Sequence, residues 1–542
     1  MGNYLNSSIP YKAFSKEYNS PYFVDKSMML KELTMRIQTS TNYICITRPR
    51  RFGKSVMANM IASFFTPTVN DDTIFKKLAV GKTDIYDHYY GQYDVIFISF
   101  NEMPKRCDNY EQYIERIENK LIHDLKTTYP QAQINENDAC WDAFTAVFNS
   151  YHEKQFIFIF DEWDFIFHQD FISEQDKRKY IRFLSNLLKD KVYSALTYMT
   201  GILPIAKYSS GSELNMFAEY TMVSEEMYSE YFGFTETEVD SLYKKYLSNQ
   251  MEPQVTREGL RLWYNGYHTK SGERMYNPRS VVMALTNNNL GNYWTSSGPY
   301  DEIYYYVNHN IAAVREDLAQ MIAGIPVLAK IQEYAAVSMN LTTRNEILSA
   351  MVVYGFLSYE KGYVSIPNKE LMDRFNEMLI KEPTLGYVHQ LAAKSSDMLK
   401  ATLAGDSSKV AKIMQLAHDT ETPLLSYNSE SELTVLVTLV YLSARDFYRI
   451  EREDKAGIGY VDFIFYPEID HHADAIIIEL KVDHTAEDAL QQIKERKYAL
   501  KLEGHLGEAP KYTGRILGVG IAYDKKTKEH TCKIEILRKQ LF

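Results

Sequence analysis

The stretch Thr47–Ile61, "TRPRRFGKSVMANMI", decides how the first half of the chain is read. Its right-hand part, Gly53-Lys54-Ser55 running into helix-forming residues, has the make-up of a phosphate-binding loop. The usual pattern wants a glycine five residues before Gly53, and Arg48 stands there instead. Such a loop needs backbone N–H groups facing an anion, a lysine reaching the β and γ phosphates, and a hydroxyl for Mg2+. Lys54 and Ser55 suit the last two roles, and Gly53 frees the backbone just before the helix. Pro49 stiffens the turn that a glycine would ease, and Arg50 or Arg51 adds positive charge beside phosphate. The candidate nucleotide-contacting segment is therefore Arg48, Pro49, Arg50, Arg51, Phe52, Gly53, Lys54 and Ser55. The competing reading is a basic surface loop after a buried strand.

The surroundings suit the first reading. Four short apolar runs lie in the first 200 residues: "NYICIT" (42–47), "YDVIFISFN" (93–101), "QFIFIFDE" (155–162) and "SALTYMTG" (194–201). Nearly continuous apolar runs rich in β-branched and aromatic residues predict strands buried on both faces. Helix-like segments such as "EQYIERIENKLIHDL" and "KRKYIRFLSNLLKD" fall between them, which predicts a largely parallel α/β sheet. Asp161 and Glu162 follow directly on the third run, and paired carboxylates there are costly unless they meet a cation or water. Asp161 suits Mg2+ together with Ser55, and Glu162 suits orientation or deprotonation of an attacking water. Against this stands an acidic cap on a strand end. Thr200, ending the fourth run, offers a hydroxyl to a γ phosphate.

The residues "YFVDK" (22–26), "RPRRFGKS" (48–55), "DEWD" (161–164) and "TGILPIAK" (200–207) resemble the AAA-ATPase-like family. So do "YFGFTETEV" (231–239), "WYNGY" (263–267) and "YNPRSV" (276–281). In that family the loop without its first glycine is the norm. The resemblance covers about residues 10–300 and implies ATP binding, with hydrolysis expected. Related ATPases commonly form rings, so the resemblance allows oligomers, although no arginine finger stands out.

Residues 220–320 are rich in Tyr and Asn. Residues 325–380 read as helix, helix, short hairpin, helix, a winged-helix-like order, and a helical connector follows over roughly 383–420. The last 120 residues return to α/β. The expected division is 10–300, 301–424 and 425–542.

Within the last part, "GYVDFIFYPEIDHHADAIIIELKVD" (459–483) folds as a hairpin about Asp470 and His471, bringing Asp462 opposite Glu479. Glu479 and Lys481, two apart, share a face, while Ile478 and Leu480 point the other way. Two carboxylates can hold Mg2+ or Mn2+ against a phosphodiester, and a nearby lysine can position water or steady developing charge. The alternative is a polar edge-hairpin face. His471 and His472 belong to the turn and are left out. The segment resembles the PD-(D/E)XK nuclease superfamily through Asp462, Glu479 and Lys481, then "AEDALQQIKERKYA" with Gln492 and Tyr498, then "RILGVGIAYD". That resemblance implies a restriction-endonuclease-like domain over 425–540 and a glutamate on an upstream helix, Glu430 or Glu432. Glu432 is preferred because it shares a helical face with Val435, Leu436 and Leu439. Relatives usually carry arginine before the motif aspartate, whereas this chain has Gly459-Tyr460-Val461-Asp462. Lys494 and Lys497 are three apart and could meet phosphates, or form a solvated helix face.

Composition bounds the rest. Several domains are expected of 542 residues, since single cores rarely exceed ~250–300. A net charge of −11 leaves any nucleic-acid contact to local basic faces. Four scattered cysteines suit a reducing compartment, and no apolar run approaches ~18 residues. The N-terminus lacks a signal design, and Asn6 breaks a myristoylation pattern at Gly2. A cytoplasmic protein without a membrane segment is expected. The leading functional reading is an ATP-binding protein whose C-terminal domain cleaves DNA or RNA with a divalent metal under nucleotide control. The alternative is a nucleotide switch or scaffold that binds nucleic acid or protein without cleaving.

Overall fold

A computed structural model describes residues 2–541 apart from 68–73, 206–212, 295–310, 332–340, 342, 382, 386, 420–429, 457–458, 468–469 and 504–511. The chain forms two compact units, Met1–Tyr306 with Leu328–Glu370, and Val307–Val327 with Leu371–Phe542. The stretch expected as a middle region, 301–424, is shared between them.

The first unit is built on a five-stranded sheet of β1 (Tyr43–Thr47), β2 (Asp94–Ser99), β3 (Phe156–Asp161), β4 (Ser194–Gly201) and β5 (Ala218–Tyr220). The order is β2-β3-β4-β1-β5 and every pairing is parallel. The four expected strands form as read. All residues of β1, β3 and β4 are buried, which is why their sequences show no alternation. The fifth strand is short and half-buried at an edge, so it had no apolar run to announce it. Because β4 lies between β1 and β3, the carboxyl ends of all three adjoin, the position where parallel sheets place ligands. Helix Lys54–Phe65 follows β1 and buries Met57, Ile61, Phe64 and Phe65 in the core on one side of the sheet.

The two expected helices form as Tyr110–Thr128, capped by Asn109, and Glu174–Leu188, opened by a Ser173/Asp176 capping box. Helices Glu236–Asn249, Arg257–Tyr264 and Pro278–Asn287 enclose a second core that includes Val239, Tyr264, Tyr276 and Leu285. Helix Arg344–Val353 then leads into a hairpin of Ser358–Glu360 with Tyr363–Ser365. Lys361 and Gly362, at φ +48° and +92°, make the tight turn that matches strand twist. Helix Lys369–Lys381 follows. Of the two helices expected before this hairpin one is seen; much of the remaining stretch lies outside the described residues.

The second unit carries a mixed five-stranded sheet: Tyr448–Ala456, Gly459–Pro467, Ala475–Val482, Ile516–Asp524 and Glu529–Arg538, in chain order. Only Ala475–Val482 with Ile516–Asp524 is parallel, crossing over through helix Ala486–Glu495. The helical connector appears as Tyr387–Ala393, Ser395–Leu403 and Ser407–Asp419. Among the described residues, no helix is long and apolar enough to cross a membrane.

Candidate active sites

At the carboxyl end of the parallel sheet, a cleft of about 590 Å³ is lined by Arg50, Arg51, Gly53, Lys54, Ser55 and Glu162 on one side. Tyr22, Phe23, Met57, Met60 and Tyr231 supply apolar walls. This is the size and mixture of a small-ligand site. Gly53 caps the helix at φ +88°, and a Cβ there would meet nothing within 4 Å. Conformation, not crowding, therefore requires glycine. The free N–H groups of the helix start face an anion favourably. Lys54 is buried, its Nζ donating to the carbonyls of Arg48 and Pro49 at 2.9 Å each. Burial pushes its pKa down to about 8, against the pull of Asp164, Asp161 and Glu162.

Asp161 is also buried. Burial raises its carboxyl to about 6, with Ser55 hydrogen-bonded to it and Lys54 nearby opposing the rise. Its Oδ1 has no protein partner, and an orphaned buried carboxylate oxygen beside a serine hydroxyl suits a divalent cation. Glu162 sits at φ +51°, an uncommon conformation for its residue type, and its side chain borders the cleft.

Two candidates, Arg48 and Thr200, do not line the cleft. Arg48 is 2% exposed; its guanidinium donates to Thr47 O and Tyr220 O and lies 5.2 Å from the Phe232 ring. It ties the ends of β1 and β5 together, which explains a large residue where a glycine was awaited. Thr200 is fully buried, and its hydroxyl donates to Ile46 O within the sheet. Phe52 does border the cleft, buried with its ring edge-on to Tyr267 at 4.9 Å. Asp164, His168 and Arg279 also line the cleft, and the sequence reading gave none of them a role. Asp164 accepts the N–H groups of Ile202 and Leu203 at 2.9 and 2.7 Å, fixing the exit of β4. Its signal was the fourth letter of "DEWD". Arg279 opens helix Pro278–Asn287 and lies near enough to Arg51 to depress that arginine's pKa, after burial. The signal for Arg279 was the fourth letter of "YNPRSV".

In the second unit, the hairpin register Phe463↔Ile478 continues to place Asp462 opposite Glu479. Asp462 Oδ2 accepts the Leu480 N–H at 2.7 Å, and Glu479 is 3% exposed. Gln492, on helix Ala486–Glu495, donates to Glu479 Oε1. The helix can approach this closely because Gly520, paired with Glu479, has no Cβ to strike the Ala486 carbonyl. Lys481 Nζ stands 3.7 Å from Glu479 Oε1 and 3.8 Å from Glu430 Oε1. Of the two upstream glutamates, Glu430 is the one seen beside this lysine; Glu432 lies half-buried in the same helix, Glu430–Val440. Lys494 is paired with Glu535 at 2.6 Å, and Tyr498 donates to the Tyr460 carbonyl at 2.5 Å. His471 and His472 bond Pro467 O and Thr513 Oγ1 at the turn.

Among the described residues no group of three or more His, Cys, Asp or Glu is disposed to hold a metal. Asp462 and Glu479 remain a carboxylate pair, and Glu479 Oε2 is buried without a partner. That orphaned oxygen fits a cation whose other positions go to water and phosphate. Burial, then the Asp462 charge, raise Glu479 to about 8 against the opposing Lys481. The ordinary value is 4.5. The folded chain thus keeps a proton that the unfolded chain releases, so metal-free stability falls as pH rises between these values. A cation captured here must displace that proton. Titration with Mn2+ at pH 7 in buffers of different ionisation heat is expected to show release of about one proton per ion. Affinity should rise with pH up to about 8. The Glu479→Gln chain should lose this release; an identical release in both would remove Glu479 from the metal site.

Residues 11–210 match the family described as Predicted AAA-ATPase, and residues 428–530 match the PD-(D/E)XK nuclease superfamily. A curated relative, an uncharacterized protein in the vnfD 5' region of Azotobacter chroococcum mcd 1, is 27% identical over 292 residues. The alignment spans 52% of this chain and 52% of that protein, so the chain spans about half the length of its relative. Among solved structures, the Walker-type ATPase PABY2304 of Pyrococcus abyssi is 10% identical with TM-score 0.36, over 65% of this chain and 94% of that one. The Aeropyrum pernix ORC2 protein, in ADPNP and ADP complexes, is 12% identical with TM-score 0.32, over 69% and 94%.

Proposed function

On a chain that carries a predicted AAA-ATPase region and a PD-(D/E)XK region, we propose that ATP bound in the cleft controls metal-dependent cleavage of nucleic-acid phosphodiesters at Asp462, Glu479 and Lys481. The observation that carries this reading is the buried, partnerless Glu479 Oε2 opposite Asp462, with an ammonium 3.7 Å from the other oxygen. Asp462 and Glu479 would hold Mg2+ or Mn2+, which supplies Lewis-acid stabilisation of charge on the phosphate. Gln492 keeps Glu479 oriented, and Lys481 attracts the attacking water and the charge that develops.

In the cleft, the start of helix Lys54–Phe65 and the side chains of Lys54, Arg50 and Arg51 receive the polyphosphate, while the apolar walls take the base. Ser55 and Asp161 would hold Mg2+ there, and Glu162 orients water toward the γ phosphate. Arg279 lines the same cleft and lies near Arg51. The Arg279→Ala chain is expected to keep ADP affinity but lose about 100-fold in ATP turnover. Unchanged turnover would place Arg279 outside the reaction.

A second reading, a nucleotide switch that binds without cleaving, is favoured by one observation: among the described residues, no group of three acidic, histidine or cysteine side chains is disposed to hold a metal at the second site. Incubation of the full chain with plasmid, single-stranded DNA and RNA, with Mg2+ or Mn2+ and with or without ATP, separates the two. Products that depend on metal and on intact Asp462 support cleavage; no product from any substrate leaves the switch.

A further inference from the structure

The phosphate loop leans on the helix-and-hairpin segment 343–368 as well as on the nucleotide cleft. Lys54 bonds the Pro49 carbonyl from inside. The Pro49 ring packs on the outside against Gly355, at φ +85°, where a Cβ would stand 2.5 Å from the proline Cβ. Phe52 meets the Tyr267 ring edge-on, and the Tyr267 hydroxyl donates to the Gly355 carbonyl at 3.1 Å. The next residue, His268, bonds Ser358 Oγ, at the start of the hairpin, through both its N–H and its ring at 3.2 and 3.0 Å. Residues 343–368 are absent from the lining of the large cleft.

Resting on the nucleotide reading above, we propose that segment 343–368 reports the phosphate state of the cleft through Pro49–Gly355 and Tyr267–Gly355. Lys54 has two discrete partners, the Arg48 and Pro49 carbonyls or a bound phosphate. When phosphate takes the ammonium, those carbonyls lose their donor and the Arg48–Pro49 turn relaxes against Gly355. Packed interfaces respond to such exchanges by switching rather than by yielding smoothly. The hairpin, joined to Gly355 through two residues and to His268 through Ser358, moves with it.

Amide hydrogen exchange on the full chain tests this, with calorimetry of a non-hydrolysable ATP analogue run in parallel. In the native chain, saturation with the analogue is expected to change exchange of amides 354–365. Tyr267→Phe keeps the buried ring but lacks the hydroxyl, so it should bind the analogue with native affinity and lose most of that change. Binding with unaltered exchange at 354–365 in the native chain overturns this inference alone, and a full change in Tyr267→Phe overturns the Tyr267 route. Failure to bind the analogue overturns the nucleotide reading along with it.

Discussion

Replacing Asp462 by alanine is expected to reduce metal-dependent cleavage by about 100-fold or more, while ATP binding persists. The size follows from removing one of the two carboxylates proposed to hold the cation, a loss of several kcal/mol of charge stabilisation at the reacting phosphate. Alanine also strands the Leu480 N–H, which Asp462 Oδ2 accepts at 2.7 Å. An unpaired donor of this kind costs about 1–3 kcal/mol, so alanine alone mixes lost chemistry with local strain. Asp462→Asn keeps an acceptor for that N–H and deletes the charge. Both variants should be inactive, and asparagine should melt close to the native chain. Lys481→Ala should be inactive as well, since the ammonium then no longer offsets Glu479 and Glu430. Native cleavage rates in Asp462→Asn would show that the charge has no part in the reaction.

These sites were unequally legible in the sequence. Strands buried on both faces betray themselves by unbroken apolar runs, and "YICIT", "FIFIFD" and "SALTYMTG" are buried at every position. The outer strands Tyr448–Ala456 and Glu529–Arg538 are rich in charged and polar residues, as edges often are to discourage further pairing, and so gave no such signal. A hairpin carries its register in its own spacing, which is why Asp462, Glu479 and Lys481 could be brought together without knowledge of any other element. Gln492 followed by resemblance to relatives. Arg279 stood in "YNPRSV" by the same kind of resemblance, but its place beside Arg51 depends on how a helix more than two hundred residues later packs against the loop. Arg48 misled for the opposite reason, being a cation in a phosphate motif whose charge is spent on backbone carbonyls of two strands. Periodicity favoured Glu432 by its helical face. Which glutamate approaches Lys481 depends instead on where the helix end meets the strand, a tertiary matter.

Lys54→Ala is expected to lower ATP affinity by about 100-fold, since charge-assisted hydrogen bonds to phosphate contribute roughly 1.5–3 kcal/mol each. Turnover should disappear with it. The burial that makes this lysine effective also makes it sensitive to pH. Its folded value of about 8 lies below the ordinary 10.5, because a dry pocket disfavours the ammonium more than the nearby carboxylates favour it. Above pH 8 the empty cleft therefore holds a neutral amine, and binding must take up a proton. ATP affinity of the native chain is expected to be level below pH 7 and to weaken as pH rises past 8. The Lys54→Ala chain, already weak, should show no such step. Affinity measured from pH 6.5 to 9.5 in both chains decides the point. A step of equal size in the alanine chain would assign the titration to another group, and native affinity in that chain would remove Lys54 from the phosphate site altogether.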